Sequence, residues 1–274
     1  MVENFNKYES YQGPKNNDPI EALKNISSES PIIGIFFIMG IILFLFSGIN
    51  ELNFRLRYIM PPSYTLTSKQ IDITQEPIQT EPSSALPFIF NSENFEKYNF
   101  IPMADYSISA IVVAKNTNLW LRGVMNSKFD DVALIDLGLL CGKVANEETL
   151  KYVRFQSKKT LGSARSLRPM PAHFKSYRDV NNYLVDKNLS LDYLFTHMSH
   201  VHIIPANRNI MSALIRLNRK NTVRLDGYLV DIEYNRPLVR TSLSRNDTNQ
   251  TARGGGACEV MYVSKVQIGN KIYQ

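Results

Sequence analysis

Residues 222–233, TVRLDGYLVDIE, decide the reading of this chain. β-Branched and aromatic residues fill the run, and they fit a pleated, half-buried surface better than a helix. Gly227 interrupts it, and a glycine inside a strand marks a bulge or a bend of a curled sheet. Two more strand-like runs follow, at 238–244 and 258–268. Working back toward the N-terminus, residues 207–219 read as a helix, because Ile210, Ala213, Leu214 and Leu217 share one face. Residues 201–204 form a short apolar strand and 191–198 a helix. Glu147, Glu148 and Lys151 favour helix over 146–153. Residues 131–140 (DVALIDLGLL) are a strand or a turn of helix, and 107–114 (SISAIVVA) a strand. The expectation is an α+β fold with a β-rich C-terminal domain and a few helices. Its sheet is small and twisted, or a partly closed, OB-like barrel.

The N-terminal part has a different character. Residues 30–50 carry no charge, and 32–46 are almost wholly Ile, Leu, Phe, Met and Gly. A helix needs about 20 residues to cross about 30 Å of hydrocarbon, so the run is just long enough. About 30 mostly polar residues precede it and no small-residue cleavage site follows, which favours a retained anchor over a signal peptide. The expected organisation is a disordered tail (1–30), one transmembrane helix (31–50), a stalk or linker (51–100) and a soluble domain (101–274). Pro61, Pro62, Pro77, Pro82 and Pro87 interrupt the linker. Lys15 and Lys24 before the span nearly balance Arg55 and Arg57 after it. The layout of short tail, anchor and large domain points to a single-pass protein of the cytoplasmic membrane with its C-terminal domain outside the cytoplasm.

Composition narrows the function. The chain has 274 residues, of which 44% are hydrophobic and 20% charged, which excludes wholesale disorder. A mean hydropathy of −0.20 excludes a polytopic membrane protein. Two cysteines are too few for a disulfide framework or a zinc site built of cysteines alone. Residues 1–102 carry 7 basic and 11 acidic groups, a net of −4; residues 103–274 carry 24 and 14, a net of +10. The excess concentrates in Lys151, Arg154, Lys158, Lys159, Arg165, Arg168, Lys175 and Arg178, with no acid among them. Such a run attracts polyanions: a lipid surface, or nucleic acid with Tyr152 and Phe155 as stacking platforms. The plainer reading is a solvated basic face.

The polar residues allow several chemistries. His200 and His202, at spacing two on a strand, would share a face and start a metal site, with Asp247 or Glu259 as a third ligand. His197 belongs to the same stretch, whereas His173 lies in a basic loop with no evident partner. Cys258 has a nucleophilic reading, with His200 or His202 as its base, and a disulfide reading with Cys141. Its plainest reading is a packing thiol. Arg245 and Asp247, with Ser242, Ser244 and Thr248, form either a locked turn or a small anion site fed by the amides of Gly254–Gly255–Gly256. Glu259 pairs with an arginine such as Arg245. The glycines neither follow a strand nor open a helix, so no phosphate-loop fingerprint exists and no cofactor is expected.

Several stretches carry a resemblance: HMSHVHIIPANRNI, TVRLDGYLVDI, RTSLSRNDT and GGGACEVMYVSKV, together with YSISAIVVAKN and DVALIDLGLL. Over about residues 104–268 they resemble a bacterial family with an N-terminal hydrophobic segment, a spacer and a C-terminal domain. Its members read S-A-N-x-H-x-I-P-A, G-x-x-V-x-L-x-G-x-L-V and S-S-L-T-R-x-D-T-G-x-G-A-C-E. The family's tryptophans are replaced here around Leu140–Cys141 and Leu238–Val239. The resemblance implies architecture and no assigned activity. The leading expectation is therefore a non-catalytic, membrane-anchored protein that binds an envelope protein or supports an envelope complex. The alternatives are a tethered nucleic-acid-binding domain and a Cys/His hydrolase or metal enzyme.

Overall fold

The computed structural model describes residues 35–42, 44–45, 48–49, 58, 61–82, 86–92, 96–117, 128–158, 166–171, 176–243 and 258–274, with backbone alone at 155–158 and 166–171. The chain divides into two units, Met1–Ile49 and Asn50–Gln274. In the first, the described residues are helical. Their large side chains are exposed, Phe36 by 68% and Phe44 by 69%. No helix among the described residues is long and apolar enough to cross a membrane. The tail 1–30 and the rest of the expected span lie outside the described residues.

The second unit is mixed α+β and strand-rich. Its elements are β1 (Thr65–Leu66), β2 (Ile78–Thr80), β3 (Phe88–Asn91), β4 (Lys97–Thr117), β5 (Ile135–Leu140), α1 (Thr149–Tyr152), β6 (Val153–Lys158), β7 (Ser166–Pro171), α2 (Tyr177–Asp186), α3 (Leu191–Thr196), β8 (Met198–Pro205), α4 (Arg208–Ile215), β9 (Thr222–Tyr234), β10 (Arg236–Val239), β11 (Glu259–Ile268) and β12 (Lys271–Tyr273). Polar residues start the longer helices. Ser176 and Asp179 form a reciprocal capping box on α2, Ser190 caps α3 and Asn207 caps α4.

Five strands close into a hydrogen-bonded ring, β4–β5–β8–β11–β9 and back to β4. All its pairs are antiparallel except β8 with β11. Alternation sends Ile108, Ala110 and Val112 of β4, Leu137 and Leu139 of β5, Val201 and Ile203 of β8, and Met261 and Val263 of β11 into one core. Ile210, Met211 and Leu214 of α4 join it. At about 1.5–3 kcal/mol for each large apolar side chain buried, this layer outweighs any single polar contact in the unit. A second cluster packs α2 and α3 onto Leu140 and Met198, and a third gathers Tyr98, Phe100, Ile204, Ile232 and Val260.

Gly227 sits where two backbones meet. A Cβ there would run into the carbonyl oxygen of Tyr262. The pairing of β11 with β9 shifts register between Val263, opposite Gly227, and Lys265, opposite Asp226. The irregularity expected at Gly227 thus lies in its partner strand, and the glycine makes room for it.

The segment expected to be a linker contributes to the sheet. β1 pairs with β12, while β2 and β3 pair with β4, which itself begins at Lys97. These strands are two to four residues long, too short to show a period in sequence. Aromatic contacts hold β3: Phe90 stacks on Phe100 at 4.8 Å, and Phe88 meets Tyr262 edge-on at 5.1 Å. Residues 146–153, expected to be one helix, instead turn into the four-residue α1 and pass directly into β6.

Candidate functional site

The site is built on the middle of β8. This strand is buried along its whole length between β5 and β11, so both its faces pack against protein. One face carries Val201 and Ile203 into the main core. The other carries Met198, His200, His202 and Ile204, so the histidines lie between the second and third apolar clusters. Antiparallel register sets Asp136 of β5 directly opposite His202, and Gly138 opposite His200. On the other side, parallel register sets Val260 beside His202, which brings Cys258 alongside His200.

The resulting geometry is tight. His202 Nδ1 lies 2.7 Å from Asp136 Oδ1. Cys258 Sγ lies 3.3 Å from His200 Nδ1. The two imidazoles stand 4.7 Å apart at 49°, and Phe129 meets His202 edge-on at 5.0 Å. Asp136, His200 and His202 are buried, while Cys258 is partly exposed. One donor atom from each of His200, His202 and Cys258 falls within 4.8 Å of the others.

Chemically, this is a thiol beside an imidazole, next to a second imidazole oriented by a carboxylate. It differs from a nucleophilic triad in one respect. Among the described contacts, the carboxylate holds His202 whereas the thiol faces His200, so acid and nucleophile meet different rings. A soft ligand set for a metal ion remains, with a carboxylate–histidine pair behind it.

The expected same-face placement of His200 and His202 is thus present, but the third member of the cluster differs. Glu259 belongs to the opposite face of β11 from Cys258, where its Oε2 accepts a hydrogen bond from Ser199 at 2.9 Å. Asp247 and Arg245 lie outside the described residues. Ser242 lies alongside the start of β11, its amide donating to the Cys258 carbonyl at 3.2 Å. Cys141 and Cys258 form no disulfide. Cys141 belongs to the main core and donates to the His197 carbonyl at 3.4 Å, whereas Cys258 faces the histidine pair.

His197 has a structural partnership of its own. Its Nε2 lies 2.5 Å from Glu76 Oε1, and its ring stacks on Tyr193 at 3.7 Å. Gly142, at φ +70°, passes beneath this ring, and a Cβ there would strike His197 Cδ2. The site residue missing from the sequence reading is Asp136. Its signal was available, since a lone carboxylate inside ALIDLGLL must be buried and therefore paired.

The basic run spans several elements. Lys151 and Arg154 are exposed around α1 and the start of β6, and Arg178 is exposed on α2. Lys158 and Arg168 stand on the β6–β7 hairpin, while Lys159, Arg165, Lys175 and His173 lie outside the described residues. Tyr152 stacks on Tyr183 at 4.1 Å and 12°, so one face of this expected base platform is covered. Comparison with family models, curated proteins and solved structures returned no match to this chain.

Proposed function

We propose that the chain is a membrane-tethered binding protein, non-catalytic, whose strand-rich unit engages a protein partner in the bacterial envelope. The observation that carries this reading is the uncharged run 30–50, whose described residues are helical with their Phe, Ile and Leu side chains exposed. Such a surface needs an apolar cover, and a bilayer supplies one. Leu66, Ile78, Leu86 and Ile89 support the protein partner. They are exposed apolar side chains on or beside the short strands β1 to β3, which a partner's apolar surface would cover.

The full chain should stay with the membrane fraction through alkaline carbonate extraction. Replacing Phe36, Ile38 and Ile42 by lysine should release it. In-cell crosslinking from position 89 should yield a discrete heterologous adduct that Leu86→Asp abolishes. Release of the unaltered chain by carbonate would overturn the tether. A crosslinked ladder of the chain with itself alone would overturn the heterologous partner.

A further inference from the structure

We infer that Cys258, His200 and His202 form a binding site for a zinc-class transition-metal ion, with Asp136 as the residue that positions His202. The inference is independent of the tether.

Four observations converge on it. The three donors are of the two types that select zinc over magnesium or calcium, because thiolate and imidazole are soft or borderline ligands. Their donor atoms lie within 4.8 Å of one another, and the sulfur–nitrogen pair at 3.3 Å. Zinc bonds of about 2.3 Å to sulfur and about 2.0–2.1 Å to nitrogen place tetrahedral ligands about 3.4–3.6 Å apart. The cluster thus needs a contraction of about 1 Å at its widest, within reach of small side-chain rotations.

The third observation is the pairing behind the ring. His202 turns Nδ1 to Asp136 at 2.7 Å, which leaves Nε2 as its ligating atom. This carboxylate–histidine arrangement is the usual support of a metal-bound imidazole. The fourth is placement. Two ligands stand on β8 and the third, Cys258, immediately precedes its parallel neighbour β11, and only Cys258 is partly exposed. An ion therefore enters from the Cys258 side, and a water completes the fourth position. Binding converts the thiol to thiolate and releases its proton to solvent, so loading weakens as pH falls.

The test uses the full chain, purified in detergent with its cysteines reduced and stripped of metal by a chelator. Cobalt(II) is titrated in as a spectroscopic substitute for zinc. One equivalent should bind and produce a thiolate-to-cobalt charge-transfer band, which one equivalent of zinc then removes. Cys258→Ser should abolish the band, and Cys141→Ser should leave it. Asp136→Asn should weaken cobalt binding by about 10–100-fold. Circular dichroism of each variant separates loss of metal from loss of fold. If Cys258→Ser does not fold, Asp136→Asn decides. A folded wild-type chain that gives no thiolate band would overturn the site. So would a band that survives Cys258→Ser, a band lost in folded Cys141→Ser, or unchanged affinity in Asp136→Asn.

Discussion

Asp136 and His202 face each other across β5 and β8, joined at 2.7 Å with both side chains buried. A buried carboxylate without its partner is costly, and removing one member of such a pair typically destabilises by about 3–5 kcal/mol. His202→Ala should therefore lower stability by about that amount in chemical denaturation. Asp136→Asn, which keeps an acceptor for the imidazole, should cost less than half as much. Equal costs for the two substitutions would show that packing, and not the pair, holds this strand junction.

Gly227 gives a sharper test of the ring. Alanine there directs its methyl group at the Tyr262 carbonyl, and neither backbone can retreat without breaking the β9–β11 pairing. Gly227→Ala should cost at least about 2 kcal/mol, well above the few tenths typical of a surface change. Thermal unfolding followed by circular dichroism reads it directly. Gly269, with open space around its would-be Cβ and φ +58°, is the internal comparison. Its replacement by alanine carries only the backbone strain, about 1 kcal/mol.

Acid should weaken the same region through Asp226. Burial opposes ionisation of this carboxyl, but Ser107, Arg224 and Lys265 outweigh it and hold the group below the usual carboxylate range. Two contacts are cross-strand, with Ser107 Oγ donating to Oδ1 at 2.7 Å and Lys265 Nζ at 3.3 Å, while Arg224 Nε reaches from two residues away on β9 itself at 3.0 Å. A depressed folded-state value means the unfolded chain takes up the proton first. The stabilisation is therefore complete above the ordinary Asp range and is lost as pH falls through and below it. Asp226→Asn should flatten that part of the stability–pH curve and cost about 1 kcal/mol at neutral pH, the group being only partly shielded. An unaltered acid limb in the variant would assign the loss to other carboxylates.

Gly142 links His197 to the fold. It adopts the left-handed conformation beneath His197, where a side chain meets both conformational strain and the imidazole. Gly142→Ala should destabilise by about 1–3 kcal/mol and release Glu76 from His197. Loss of protection at the Cys141 amide, which donates to the His197 carbonyl, reports the change in hydrogen exchange.

The long elements of this fold were legible because their periods were. Val223, Leu225, Ile210 and Leu214 point inward as alternation and helical spacing require. The shared face of His200 and His202 followed from the same rule. A curled or partly closed sheet was among the expectations, but the strand order that closes the ring was not legible, because it depends on β4 meeting β9 and β11 meeting β8, pairings between residues far apart in the chain. β1 to β3 were hidden for a related reason. Phe88 and Phe90 are held by Phe100 and Tyr262, and nothing within FIFN announces that. The plainest reading of Cys258 was a packing thiol because it shares a strand face with Val260, and its partnership with His200 was only an alternative. Its neighbour in space is His200, brought there by the one parallel pairing in the ring.

The placement of the strand-rich unit outside the cytoplasm is tested most directly by topology. Alkaline phosphatase, and separately a fluorescent protein that matures only in the cytoplasm, would be fused after Gln274 of the full chain. An active phosphatase and a dark fluorescent fusion are expected, with the strand-rich unit outside the cytoplasm. A fluorescent fusion with inactive phosphatase would contradict that placement and would turn the exposed basic residues Lys151, Arg154 and Arg178 toward cytoplasmic polyanions.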